Sequence, residues 1–360
     1  MLNGVEFFSI NLRPVMNSIA IFNNKGGVGK TTLLCNLASY LKLKEGKRVL
    51  VIDADPQCNA SIYVTSDADL EHVYSDVRTR TIYDIIKPLQ RGDDYVGANN
   101  IPIVRNESFG FDVILGDTRL SLLEDFLSSD WLSGQGGLPR GLKTTFVFKD
   151  ILQKLEDSYD YVLFDVGPSL GAINRCVLLA CDFFIIPMSS DIFSLRAIDN
   201  IAESLNKWQG LIQDGLRKFS NDNCGETYTL SGRDAEVNIK FLGYIYQQYV
   251  SKTTREGLKR PVKAYDNIIR QMNNTLSDRL TNFYTPTLLQ DKLLIGEIPT
   301  LNSLIPLSQI AHKPIFNLSG SDGVVGAHFS KVKEYENVIR EISLNVQNNI
   351  TVYDLAQSIS

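Results

Sequence analysis

Residues 21 to 41 read IFNNKGGVGKTTLLCNLASYL. Gly26, Gly27 and Gly29 crowd one short stretch around Val28, and Lys30, Thr31 and Thr32 follow at once. Glycine lets a backbone wrap closely round phosphate oxygens with its N–H groups turned inward. The helix-forming run that follows adds the partial positive charge of its N-terminus. Lys30 is then placed to pair with β- and γ-phosphates, and the Thr31 hydroxyl to complete the shell of a Mg²⁺ ion. Thr32, one step on, can cap the helix or contact an α-phosphate. Two residues depart from the common form of such a loop: Asn24 stands where glycine usually begins it, and Lys25 is a second cation aimed at the same phosphates.

Two aspartate segments could complete this chemistry. The run RVLVID (48–53) continues into DADPQCN, which carries Asp53 and Asp55. Ligands bind at the carboxyl ends of parallel strands, so both carboxylates arrive on the phosphate side. There a carboxylate can order Mg²⁺ waters or orient an attacking water; Asp53 can also serve as a helix cap. The segment YDYVLFDVGPSLG places four apolar residues before Asp165, the Walker B form, in which the aspartate holds Mg²⁺ through water.

The elements that must position these groups are short β-rich runs alternating with helical patterns. Strands are expected at 18–23, 48–53, 111–116, 161–166, 182–188, 241–249 and 293–299. They are continuously apolar, as in strands covered on both faces. Helices are expected at 31–44, 194–219 and 262–280, each with an apolar stripe. The alternation predicts an α/β fold: a doubly wound, mostly parallel sheet with helices on both faces. One P-loop domain is expected over 18–345, with residues 1–17 as an N-terminal extension and 346–360 as a C-terminal tail. The glycine-rich segment 128–143 and the polar segment 220–237 read as inserted loops.

The string KGGVGKTT resembles the deviant Walker A motif of the ParA/MinD ATPases, and the overall pattern is similar to ParA-type partition ATPases. The resemblance runs over roughly 18–340, weakest across the two insertions. It implies a slow, partner-stimulated ATP hydrolase that binds ATP and Mg²⁺ and forms a homodimer sandwiching the nucleotide. Lys25 then looks like the family's signature lysine, which reaches the partner subunit's nucleotide, as an arginine finger does; Asp55 looks like the water-positioning residue. Asp53, Asp165 and Thr31 would lie at the metal. Gly167 replaces the first proline of the usual Asp-x-Pro-Pro-Ser, whereas Pro168 and Ser169 remain. The resemblance also puts Pro299 and Thr300 near the adenine. Nitrogenase-type iron proteins share the loop but need a pair of cluster cysteines, which is not found after the Walker B segment.

What would read such a switch is less sharply marked. The segment 251–270 carries Lys252, Arg255, Lys259, Arg260, Lys263 and Arg270 against Glu256 and Asp266. In the resembling partition ATPases, basic surface at this place binds DNA nonspecifically, which implies DNA partition or cargo positioning on the nucleoid; an exposed polar helix start is the plainer reading. With a net charge of −5 the chain has no global attraction to DNA or anionic lipid, so any such contact must be local. The alternative is an ATP-gated protein-interaction switch, with the insertions docking a partner. The C-terminal NVQNNITVYDLAQSIS lacks the basic face of a membrane helix. The scattered cysteines, the isolated histidines and the N-terminus, which has no secretory pattern, point to a cytoplasmic protein without a metal cluster.

Overall fold

The computed structural model describes residues 15–359 apart from 77–78, 190, 250, 254–258, 262, 286, 289–291 and 302. The first half of the chain runs β1 (Asn17–Ile21), α1 (Lys30–Leu43), β2 (Val49–Asp53), α2 (Asn59–Val64), α3 (Asp67–Ser75) and α4 (Tyr83–Gln90). It continues through β3 (Val104–Arg105), β4 (Asp112–Ile114), α5 (Glu124–Gln135), α6 (Pro139–Thr145), α7 (Val147–Leu155), β5 (Tyr161–Asp165) and α8 (Ala172–Ala180). Then follow β6 (Phe183–Met188), α9 (Ile192–Asp222), β7 (Thr229–Leu230), β8 (Arg233–Asp234) and β9 (Lys240–Tyr249). The last elements are β10 (Ser251–Thr253), β11 (Lys259–Pro261), α10 (Lys263–Arg279), β12 (Leu294–Pro299), α11 (Leu304–Ala311) and α12 (His328–Ile359).

Among the described residues, eight strands form one sheet in the order β12-β9-β6-β1-β5-β2-β4-β3. Every pairing is parallel except β3 with β4, an antiparallel edge too short and exposed to be marked in the sequence. β1, β2, β5 and β6 are almost wholly buried, which explains their unbroken apolar runs. The parallel register aligns Asp53 with Asp165 and Ile21 with Asp165, so the ends of three neighbouring strands deliver the phosphate loop and both carboxylate segments to one edge. α1 buries Leu33, Leu34, Leu37 and Leu41 against that sheet, fixing the helix whose first turn carries Lys30 and Thr31.

Two expectations are corrected here and one, for 220–237, is refined. Segment 128–143 is no loop: it is most of a hairpin formed by α5 and α6. Its glycines are largely contact points, because a side chain on Gly141 would collide with Gly134, and one on Gly215 of α9 with the Gly134 carbonyl. Gly137, at φ 80°, makes the turn itself. Segment 220–237 begins as the end of α9 and contains the β7–β8 hairpin, which turns through Ser231 and Gly232 at φ 48° and 83°. Finally, the expected tail at 346–360 falls inside α12, where Val346, Ile350 and Tyr353 are buried and the Tyr353 hydroxyl donates to the Phe241 carbonyl at 2.6 Å. Of the expected N-terminal extension, residues 1–14 lie outside the described residues.

Candidate active site

The loop between β1 and α1 is shaped by left-handed glycines, Gly27 at φ 73° and Gly29 at φ 69°. A side chain at Gly29 would also lie 2.8 Å from the Gln247 amide oxygen, and Gln247 Nε2 donates to the Gly29 carbonyl at 3.3 Å. Gln247, near the end of β9, therefore backs the loop. It carried no motif that could have revealed it in the sequence.

Lys30 is buried at the loop's centre, its Nζ donating to the carbonyls of Asn23 (3.2 Å) and Lys25 (3.3 Å). Burial lowers its pKa, an effect opposed by the charges of Asp165 and Asp55. The Thr31 hydroxyl donates to Asp165 Oδ2 at 2.8 Å. Asp165 Oδ1 is buried without a hydrogen-bond partner, and burial pushes this carboxyl well above the usual range, with the nearby Asp53 charge adding to the effect. An orphaned carboxylate oxygen beside a threonine hydroxyl is the donor set a hard divalent cation takes, so Thr31 and Asp165 fit Mg²⁺.

Asp53 is placed differently from a simple metal ligand. Its Oδ2 accepts from the Ser61 amide (2.8 Å) and hydroxyl (2.6 Å), and its Oδ1 from the Asp55 amide (3.3 Å). It therefore ties the loop after β2 to α2, closer to the capping reading, while its charge remains beside Asp165. Burial pushes its pKa up to about 6. Asp55 accepts from the Gln57 amide at 3.0 Å and from Asn59 Nδ2 at 3.3 Å, and it faces the cleft.

That cleft has a volume of about 740 Å³ and is lined by residues 26–32 together with Asp55, Pro168, Tyr63 and Ile62. Gln309, Ile310 and His312, at the end of α11, close its far side. Pro299 and Thr300, expected near the adenine, are not among the residues that line it. His312 holds that end in a left-handed turn (φ 45°), with Nδ1 3.1 Å from the Tyr63 carbonyl. Lys25 does not point into the cleft. Its Nζ donates to Ser189 Oγ at 2.8 Å and pairs with Asp191, both beyond the end of β6.

The basic segment is only partly placed. Lys252 and Arg260 occupy opposed positions on the β10–β11 ribbon, and Lys259 stands opposite Thr253. The ribbon follows β9, on the same edge of the sheet as the phosphate loop. Lys263 and Arg270 belong to α10, and Arg255 lies outside the described residues.

Residues 16–218 match a family model described as an AAA domain, which covers more than half of the chain. The sporulation initiation inhibitor protein Soj of Bacillus subtilis is 32% identical over 222 residues, 61% of this chain and 74% of Soj. The chain belongs to the ParA/MinD family of P-loop ATPases. The crystal structure of protein DIP2308 from Corynebacterium diphtheriae superposes on this ParA-type chain with a TM-score of 0.66 at 31% identity, covering 82% of this chain and 97% of that one. An ATP complex of a McdA variant from Cyanothece has a TM-score of 0.61 at 18% identity, covering 92% and 96%, a likeness of fold alone. The fold and the family expected from KGGVGKTT are thus both found. None of the described helices of this ParA-type ATPase is long and apolar enough to cross a membrane, and its described residues hold no cluster of metal-binding side chains.

Proposed function

We propose that this ParA-type chain binds Mg·ATP, dimerises around the nucleotide, hydrolyses it slowly, and in the ATP state binds DNA nonspecifically to partition or position a cargo. The observation that carries the switch is the separation of two lysines: Lys30 sits in the phosphate cradle, while Lys25 is held outside it on Ser189 and Asp191. A second cation held away from its own subunit's cleft is available to another's. The McdA relative bound to ATP supports the choice of nucleotide.

In this reading the loop amides and Lys30 bind the phosphates, and Thr31 and Asp165 hold Mg²⁺. When bound, Mg²⁺ would supply charge neutralisation at the phosphates. Asp55, at the cleft wall, orients the attacking water. Lys25 of the second subunit stabilises charge spreading over the transferred group, for which trans cations typically supply ~10³–10⁵ in rate. Without it, intrinsic turnover of such loops is on the order of 10⁻⁴ s⁻¹. The ATP state then persists until a partner protein stimulates hydrolysis, and the protein works in the cytoplasm on the nucleoid.

The DNA arm rests on the basic positions Lys252, Lys259 and Arg260 of the β10–β11 ribbon, whose charges can neutralise DNA phosphates. Co-sedimentation with DNA at low and moderate salt tests it, using Asp55→Ala protein with ATP, with ADP and without nucleotide. Binding is expected only with ATP, and it is lost when Arg255, Lys259 and Arg260 are neutralised. A second reading, an ATP-gated switch for a protein partner, draws on the α5–α6 region, where Leu122, Leu132 and Leu138 are exposed. Absence of DNA binding in every state would favour it.

A further inference from the structure

Glu124 opens α5, and its carboxylate accepts from the backbone amides of Ala172 and, at 3.3 Å, Ile173. Those are the first two residues of α8, whose leading amides have no partner within the helix. The fit is close: any side chain at Gly171 would run into Glu124 Oε1. Buried Asn174, in the same first turn of α8, reaches back with Nδ2 to the carbonyls of Gly167 (2.7 Å) and Ser169 (2.6 Å).

These two side chains bracket the segment that follows Asp165. Gly167 in that segment packs so closely on Asp55 that an added methyl would lie 3.0 Å from Asp55 Oδ1, and Pro168 lines the nucleotide cleft. A second tie joins the same helices. The buried Arg175 guanidinium stacks 4.3 Å from the Trp131 ring of α5 and 5.8 Å from that of Trp208 of α9. Its Nε and Nη2 make no hydrogen bond, and the aromatic rings pack against the guanidinium. A continuous path thus runs from the α5–α6 hairpin through Glu124 and the start of α8 to the residues beside Asp55.

We propose that Glu124 is a positioning residue for hydrolysis: it anchors α8 so that segment 166–171 is held against Asp55, and it transmits any displacement of the α5–α6 hairpin to that segment. The catalytic half of this inference rests on the ATP-hydrolysis reading above; the anchoring half does not. A cap serving only the stability of α8 would affect its own amides and nothing in the cleft.

Hydrogen exchange of the full chain without nucleotide tests the anchor apart from activity. Removing a side-chain cap allows exchange to rise about tenfold, so in Glu124→Ala the amides of Val166, Gly167, Ser169, Leu170 and Gly171 are expected to exchange faster together with those of Ala172 and Ile173. Glu124→Gln keeps an acceptor oxygen and is expected to stay near wild type. Faster exchange confined to Ala172 and Ile173 would overturn the proposal.

In turnover assays Glu124→Ala is expected to lower kcat about tenfold with KM for ATP within about twofold, since the loss falls on the reacting geometry and not on phosphate binding. Glu124→Gln should recover most of the rate. Unchanged kcat in Glu124→Ala would refute the catalytic role. A wild-type protein without ATPase activity would refute the hydrolysis reading instead, and the exchange data would still decide the anchor. If Glu124→Ala fails to fold, Asn174→Ser breaks the path one step later without removing the cap. It must show the same faster exchange at 166–171 and the same kcat loss, or the proposal falls.

Discussion

Asp191→Asn should strengthen ATP-dependent dimerisation. Asp191 pairs with Lys25 in the same chain, and Ser189 Oγ donates to its Oδ2 at 2.7 Å. Burial alone would raise the Asp191 pKa, but the hydrogen bonds from Lys25 and Ser189 outweigh it and hold the carboxyl below its usual range. Lys25 must leave this carboxylate before it can reach a second nucleotide. The two side chains are 31% and 34% exposed, so the pair is in the regime of solvent-screened ion pairs. There it contributes about 0.2–1 kcal/mol. A symmetric dimer breaks two such pairs, so removing the charge should favour the dimer by about 0.4–2 kcal/mol, roughly a 2- to 30-fold lower dimer dissociation constant. Asparagine keeps an oxygen for the Ser194 amide, which Asp191 Oδ1 accepts at 3.2 Å, so the start of α9 should survive. Sedimentation velocity across a concentration series, with ATP and in an Asp55→Ala background to suppress hydrolysis, measures the constant directly. The gain should shrink as salt screens the pair in the wild-type protein. An unchanged or weaker dimer in Asp191→Asn would show that the contact does not compete with assembly, and the reasoning would fail.

The two lysines should separate cleanly. Lys30→Ala removes the buried phosphate cation and is expected to abolish tight ATP binding, measured by calorimetry or a fluorescent analogue. Lys25→Ala should bind ATP within a few-fold of wild type yet lose dimerisation and about 10³-fold or more of any stimulated hydrolysis; wild-type behaviour would remove the trans-lysine reading. Acidification should weaken Mg²⁺-dependent ATP binding. Burial raises the pKa of Asp165, the metal-holding carboxylate of this reading, and that of neighbouring Asp53 to about 6, so protonation opposes Mg²⁺ binding and affinity falls as the pH is lowered. Stability of the nucleotide-free protein should move the other way. A raised carboxyl pKa favours the folded state below the ordinary value of 3.8, and that contribution is gone above about 6. Binding titrations and melts between pH 5 and 8 check both signs, and a Mg²⁺ affinity that rises on acidification would contradict the assignment of Asp165.

Much of this molecule was legible in its residues because the signals were local. Seven apolar runs became the seven main strands, within a residue or two at most ends, since a strand buried on both faces has nowhere to place a polar residue. The phosphate loop is readable for a similar reason: left-handed backbone at Gly27 and Gly29 demands glycine at those positions. The order Lys30, Thr31 is set by the first turn of a helix.

What the sequence could not determine depends on contacts between distant segments. Glycines 134, 136, 137 and 141 suggested a loop because glycine marks turns, but in the folded chain most of them let α5, α6 and α9 approach closely. Gln247, Glu124 and Asn174 act on the site from positions with no motif, because their hydrogen bonds require only a donor and an acceptor, which many residue types supply. The sequence by itself therefore determined the chemistry at the phosphates, through backbone conformations that few residues allow. The tertiary structure alone decided where Lys25 rests, which residues close the cleft and what holds the segment beside Asp55, because each of these is an interaction between parts of the chain that only folding brings together.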